Sequence, residues 1–443
     1  MLHEPIIALA TPPFKGALAL IRLSGEGVFE ITERFFSKPI QSLTKQTLVY
    51  GDFSKEGHLI DQVVLLLYPR PHSMTGEDVV EISCHGSMVI ANEIIEAYLS
   101  CGVRYATKGE FTSRAFYAGK MDLVEAEAVN DVINATTREA KNIALLSLSG
   151  KTGKLVAPLK EEIASLLALI EVGIDFPEYD EEEKADSEKL HQGVGSLRKK
   201  LSILIARGEE GKVYRNGVKV AIIGKPNVGK SSLLNALLEQ DKAIVSSVPG
   251  TTRDVVEGDL SIKGVPIHLL DTAGIRDAED AIERLGVERS KKSIEESDLV
   301  LFVTEAGKEL DEEEKGLLEL IGDKDCIYVE NKADLQKGNK EGAILLSAIQ
   351  GNVDSLKEAI FDKLGLSENA YEIPSLSNAR ELALLRKIDN DLKEVEENIG
   401  QGLPLDLLSA SLLSAYNEAR QLLGEDATQD LTDEIFSRFC VGK

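Results

Sequence analysis

The stretch VKVAIIGKPNVGKSSLLNALL, residues 218–238, constrains the fold more than any other part of the chain. An apolar β-type run enters a turn rich in glycine, and an amphipathic helical pattern leaves it. Gly224–Ser231 matches G-x-x-x-x-G-K-[ST] in the strand–loop–helix context that gives this motif its meaning. Backbone N–H groups of the loop and the positive end of the following helix cradle phosphates, which assigns Asn227, Val228, Gly229, Lys230, Ser231 and Ser232 to nucleotide contact. Lys230 neutralises β- and γ-phosphate oxygens, and the Ser231 hydroxyl suits Mg²⁺. The predicted fold around this stretch is a doubly wound parallel sheet, because VPIHLLDTAG, DLVLFVTEAG and CIYVENKAD are further apolar strands ending in polar loops.

Three more segments follow in the order that a guanine-nucleotide site requires. GTTRD, with Gly250, Thr251 and Thr252, sits where a switch segment closes over Mg²⁺. It is preceded by Ser246, Ser247, Val248 and Pro249. DTAG (Asp271, Thr272, Ala273, Gly274) ends a strand, with Asp271 placed to hold Mg²⁺ through water and the Gly274 N–H to sense the γ-phosphate. NKAD supplies Asn331, Lys332 and Asp334, and LSAI supplies Ser347 and Ala348. A carboxylate at Asp334 accepts from guanine N1–H and the 2-amino group; adenine has neither donor, so such a site rejects it. The glutamine that orients water in Ras-like enzymes is replaced by Ile275, which cannot do so. Glu283 is the nearest candidate, and its alternative is a solvated helix charge.

Around this core the pattern changes. Residues 1–118 read as a small α+β domain, with IIALA, ALALIRLSG, VVLLLY and VVEISCHG as strands and SMVIANEIIEAYLSCG as a helix closed by Gly102. Residues 119–214 and 374–443 read as helical, with the 215–373 nucleotide domain inserted between them. In LVEAEAVNDVINATTREAKNIALL, apolar residues from Val129 to Ala144 recur at helical spacing. Val156, Leu159, Ile163, Leu166 and Ile170 form another helical seam, with Pro158 either in its first turn or at a kink. The acidic run from Asp175 to Lys189 is expected to be a solvated loop, with no metal. The chain has no apolar run long enough for a spanning helix and no basic leader, so a cytoplasmic protein without a membrane partner is expected. Its four cysteines lack C-x-x-C spacing, which suggests neither a disulfide framework nor a zinc site. The net charge of −25 argues against a protein that grips nucleic acid chiefly through its own charge.

The ordered motifs resemble the Era-like branch of bacterial P-loop GTPases. With ATPP at 10–13, IRLSG at 21–25, TGEDVVEISCHG at 75–86, GEFTSRAF and GKMDLVEAEAV within 109–129, and FCVGK at 439–443, the chain resembles the MnmE (TrmE) family of tRNA-modification GTPases along its whole length. The resemblance implies a homodimer formed through the N-terminal domain, which in this family binds a tetrahydrofolate. It implies work with MnmG, a protein using FAD and NADH, in a heterotetramer or larger complex. The product is an aminomethyl or carboxymethylaminomethyl group on C5 of the wobble uridine of certain tRNAs. The one-carbon unit comes from 5,10-methylenetetrahydrofolate, for which 5-formyltetrahydrofolate is an analogue. It also implies that GTP hydrolysis is activated by K⁺ and coupled to G-domain dimerisation.

Carried over by position, the folate site falls on Arg22, Glu81, Lys120 and Lys443. The K⁺ ligands fall on Asn227, Ser246, Thr251 and the Val248 carbonyl; Thr252 joins Ser231 on Mg²⁺, and Glu283 takes the water-orienting role. FCVGK fails as a prenylation box at Gly442 and Lys443. Within this family it reads as a tail reaching the folate site, with Cys440 near the one-carbon chemistry. The competing expectations are a regulatory or ribosome-assembly Era-like GTPase, and a folate-dependent transferase with a degenerate G domain.

Overall fold

The computed structural model describes residues 4–42, 44–175, 180–240, 256–270, 290–338, 340–367, 369–401 and 403–443. Two compact units result: Met1–Ile133 with Ser147–His191 and Glu394–Lys443, and Asn134–Leu146 with Gln192–Lys393.

The first unit opens with β1 (Ile6–Leu9), β2 (Leu18–Ser24), α1 (Val28–Glu33), β3 (Thr47–Lys55), β4 (His58–Tyr68) and β5 (Val79–His85). Helix α2 (Met88–Leu99), β6 (Arg104–Tyr105), α3 (Glu110–Tyr117) and α4 (Leu123–Asn134) follow. The strands form one sheet in the order β3-β4-β5-β2-β1-β6, antiparallel except at β1–β6. Strict alternation decides its faces. Ile21, Leu23, Leu65, Leu67, Val80 and Ile82 point into a core closed by Ala91, Ile94 and Tyr98 of α2. The alternate residues, among them Arg22 and Glu81, line the opposite face, where Leu18, Leu48 and Tyr50 are exposed. Helix α2 ends at Leu99, and Gly102 turns the chain at a φ of 86° with its N–H on the Leu99 carbonyl.

The helical pattern after residue 121 is interrupted. Helix α4 stops at Asn134, and α5 (Arg138–Leu148) starts afresh, with the Thr137 hydroxyl accepting the Ala140 N–H at 3.1 Å. A Thr side chain that caps a new helix competes with continuation of the old one. Helix α6 (Val156–Asp175) carries Pro158 in its first turn, where the missing N–H costs nothing. The acidic run departs from expectation: from Asp180 it is the start of α7 (Asp180–Asn216). Carboxylates in a first turn favour the helix macrodipole, so an acidic run can begin a helix as readily as form a loop.

The second unit contains β7 (Val218–Ile223), α8 (Lys230–Gln240), β8 (Val256–Ile262), β9 (Val265–Leu270), β10 (Leu299–Glu305) and α9 (Glu312–Ile321). It continues with β11 (Cys326–Asn331), β12 (Ile344–Leu345), α10 (Asp354–Leu364) and the beginning of α11 (Ala379–Gly400). Its sheet order is β12-β11-β10-β7-β9-β8. All pairings are parallel except β8–β9, a hairpin whose two turn residues, Lys263 and Gly264, both have positive φ. One face packs Val220, Ile222, Leu301 and Val303 on Leu233 and Leu237 of α8 and Ile360 of α10. The other packs Ile223, Val300 and Phe302 on Leu317 and Ile321 of α9. The chain ends with α12 (Leu405–Leu423), which packs on α6, and α13 (Gln429–Ser437).

Candidate functional site

The phosphate loop leaves β7 at Gly224 and enters α8 at Lys230. Asn227 has a φ of 65° and Gly229 of 97°. A side chain on Gly229 would begin 2.2 Å from Asn331 Nδ2, so only glycine lets the loop lie against the end of β11. Lys230 Nζ donates to the carbonyls of Gly224 and Lys225, both at 2.7 Å. Burial lowers its pKa, because the ammonium has left water for two neutral acceptors. An anion in the loop's mouth would meet this charge with little competition from solvent.

Asn331 is buried and uses both ends of its amide. Nδ2 donates to Val228 O at 2.9 Å, and Oδ1 accepts the Ala348 N–H at 3.0 Å. It therefore ties the phosphate loop to the segment bearing Ser347. The Ser347 hydroxyl donates to Asp334 Oδ1 at 2.5 Å, fixing a carboxylate that is otherwise exposed. Lys332 has a φ of 63° and pairs with Glu305 at 3.4 Å. Asn227, Val228, Gly229, Lys230, Asn331, Asp334, Ser347 and Ala348 thus belong to one surface of the second unit, with Ser231 and Ser232 in the first turn of α8. Ser246, Ser247, Val248, Pro249, Gly250, Thr251, Thr252, Asp271, Thr272, Ala273, Gly274 and Glu283 lie outside the described residues. Lys225 was not singled out in the sequence; it pairs with Asp311 at 2.5 Å and Glu313 at 3.0 Å, which raises its pKa. The acidic capping box at the start of α9 was its available signal.

A second constellation lies in the first unit. Arg22 and Glu81 are cross-strand partners on β2 and β5. Arg22 Nε and Nη2 both reach Glu81 Oε1 at 2.7 Å, and the two side chains are each 15% exposed. Nη1 of the same guanidinium donates to the Gly442 carbonyl at 2.9 Å, and the group lies 5.7 Å from the Phe111 ring centroid. Tyr68 stands beside this pair: burial, and after it the Glu81 charge, push its phenol pKa up.

The tail that meets Arg22 is held along its length. The Gly109 and Phe111 N–H groups donate to the Cys440 and Lys443 carbonyls at 3.4 and 3.1 Å, and Val441 bridges Lys108. Cys440 is exposed. Lys120 stands apart from the Arg22–Glu81 pair in its described contacts: its Nζ donates to the Pro71 carbonyl at 2.6 Å. Tyr68 and Phe111 escaped the sequence reading because strand pairing and tail docking, not local spacing, bring them here.

A family model described as the GTP-binding protein TrmE N-terminus matches residues 5–120, and one described as the MnmE helical domain matches residues 123–440. A protein of Ligilactobacillus salivarius is 40% identical over 99% of this chain and 98% of its own length. One of Streptococcus pneumoniae is 40% identical over 99% of each. Both are named tRNA modification GTPase MnmE. The chain belongs to the MnmE family. Among solved structures, Aquifex aeolicus Era bound to GDP and AlF4⁻ is 30% identical, covering 39% of this chain and 66% of that one, with a TM-score of 0.27. Arg22 and Glu81 both fall within the matched N-terminal region, the phosphate loop falls within the matched helical-domain region, and Gly442 lies two residues beyond the latter.

Proposed function

We propose that this chain is a GTPase of tRNA modification which, with an MnmG-type FAD protein, builds an aminomethyl or carboxymethylaminomethyl group on C5 of the wobble uridine. The observation that carries this reading is the presence in one chain of a formed phosphate loop and of the Arg22–Glu81 pair joined to the Gly442 carbonyl. Residues 1–118 would bind folate and dimerise, 119–214 with 374–443 would form the helical domain, and 215–373 would be the inserted G domain.

At the nucleotide site, Lys230 would exchange its two carbonyl acceptors for phosphate oxygens, and Asp334, held by Ser347, would accept from the guanine edge. Ser231 and Thr252 would hold Mg²⁺. Asn227, Ser246, Thr251 and the Val248 carbonyl would hold K⁺. These cations supply positive charge where phosphate charge builds up during hydrolysis. Glu283 would orient the attacking water.

The donor set at the other site suits a tetrahydrofolate. Glu81 spends Oε1 on Arg22, and an amide-like ligand edge could donate to Oε2. Lys443 and Cys440 lie on the tail seated beside this pair, Lys443 as a further folate contact and Cys440 as the thiol next to the one-carbon chemistry. Lys120 would serve the same ligand only by leaving Pro71. The exposed sheet face with Leu48 and Tyr50 supplies apolar surface for a homodimer.

The test is in vitro modification of a wobble-uridine tRNA by this protein and an MnmG-type partner with methylenetetrahydrofolate, scored by nucleoside mass spectrometry. The modified nucleoside should appear only with GTP, and GTP turnover should be faster in K⁺ than in Na⁺. Full modification with Lys230→Ala would overturn the reading.

A further inference from the structure

His85 stands on the face that carries Arg22 and Glu81, and at the strand end it bonds Asp61, which the alternation of β4 sets on the core side with Val63 and Leu65. Neither the nucleotide site nor the folate contacts provide a use for this pair. His85 ends β5 opposite Leu18 of β2 and is four residues from Glu81 along the strand, a span of about 13 Å. Its side chain is 68% exposed, whereas that of Asp61 is 8% exposed. Asp61 Oδ2 accepts the His85 N–H at 2.8 Å, and Oδ1 accepts the Gln62 N–H at 2.8 Å. Those two amides alone satisfy the carboxylate as a strand-end fastening. The imidazole bond is additional: His85 Nδ1 lies 2.7 Å from Asp61 Oδ1.

An ionised carboxylate can only accept, so Nδ1 carries a proton, and no contact is described for Nε2 of this 68% exposed side chain. Burial opposes ionisation of Asp61, but the amide and imidazole donors outweigh it and hold the carboxyl below its usual range. The other charged and titratable groups nearby are Asp52, one hydrogen bond away through Gln62, and the buried Cys84 thiol beside Asp61. Exposed Leu18 and Tyr50 flank the ring's row of the sheet. A fixed tautomer, a buried orienting carboxylate and a free Nε2 on an open face make up an acid–base pair.

We propose that His85 is the proton-transfer residue of the one-carbon step, with Asp61 its positioning residue; this rests on the folate reading above. With Nδ1–H kept on the Asp61 carboxylate, the imidazolium form of His85 gives its Nε2 proton to the nitrogen that departs from the one-carbon unit, as the carbon–nitrogen bond breaks and its electron pair stays on that nitrogen. Neutral Nε2 then takes a proton from the attacking amine as the new carbon–nitrogen bond forms, which returns the imidazole to its starting state.

Two measurements on the full chain test this. First, diethyl pyrocarbonate labelling of His85, read by peptide mass spectrometry, should fall at least about fivefold when 5-formyltetrahydrofolate saturates the protein by calorimetry. Second, H85Q should lower kcat for tRNA modification by about 10²-fold. It should also remove one limb of the pH–rate profile, while folate affinity and GTP turnover stay within about threefold. D61N should change the shape of that profile with a smaller loss. Folate binding without protection of His85, or an unchanged profile in H85Q, overturns the assignment and leaves the folate reading standing. A wild-type chain that binds no folate overturns both.

Discussion

Asn331 is the side chain on which the two halves of the nucleotide site meet, with Val228 on one end of its amide and Ala348 on the other. Asn331→Ala would leave a buried carbonyl and a buried N–H unpaired, a loss of about 1–3 kcal/mol. We expect a lower midpoint in urea unfolding and guanine-nucleotide affinity reduced more than tenfold, measured with a fluorescent GDP analogue. Gly442 is constrained in another way. Its φ is 92°, and a Cβ there would begin 3.0 Å from the Leu9 carbonyl. Gly442→Ala should therefore cost about 1–2 kcal/mol of tail docking. Hydrogen exchange at the Gly109 and Phe111 amides, which the tail covers, should quicken while exchange in β7 and β10 stays as it was.

At the scale of elements, α3 is anchored by charge. Arg114 is 4% exposed and reaches Glu77 at 2.9 Å and Glu110 at 2.8 Å; Arg104 holds Glu110 from the other side at 2.6 Å. Burial pushes the Glu110 carboxyl up, but the two arginines and the Thr107 N–H outweigh it and bring it down to about 2. A carboxyl depressed in the folded state stabilises fully above its unfolded pKa of about 4.3 and loses that contribution as pH falls toward 2. Glu110→Gln should flatten the acid limb of stability in this window, seen as urea midpoints that change less between pH 5 and 3 than those of the wild type. Little of this anchor could be read in the sequence, because Glu77, Arg104 and Arg114 are joined by folding and not by spacing. The phosphate loop was legible because strand, turn and helix are contiguous. The break between α4 and α5 and the helical acidic run were not, since each depends on a cap or a helix end that periodicity does not register. Arg22 and Glu81 could be paired beforehand only through family resemblance.

At the scale of the whole molecule, charge governs what the chain can hold. With a net charge of −25, its own long-range field repels a polyanion. We expect filter binding at physiological salt to show weak tRNA retention by this chain alone and much tighter retention once the MnmG-type partner is added. Tight binding by the chain alone would place the phosphate contacts here instead. The order of segments has a consequence for how the molecule comes to be folded. Helix α6 finds its packing partner α12 only across the interval Gln192–Lys393, which belongs to the other unit. Ribosomal synthesis therefore delivers the second unit while the first is still missing its last helices. If that inner unit folds early, it shortens the effective loop that must close between α6 and α12, and a defect there would delay assembly of a sheet-bearing unit it does not belong to.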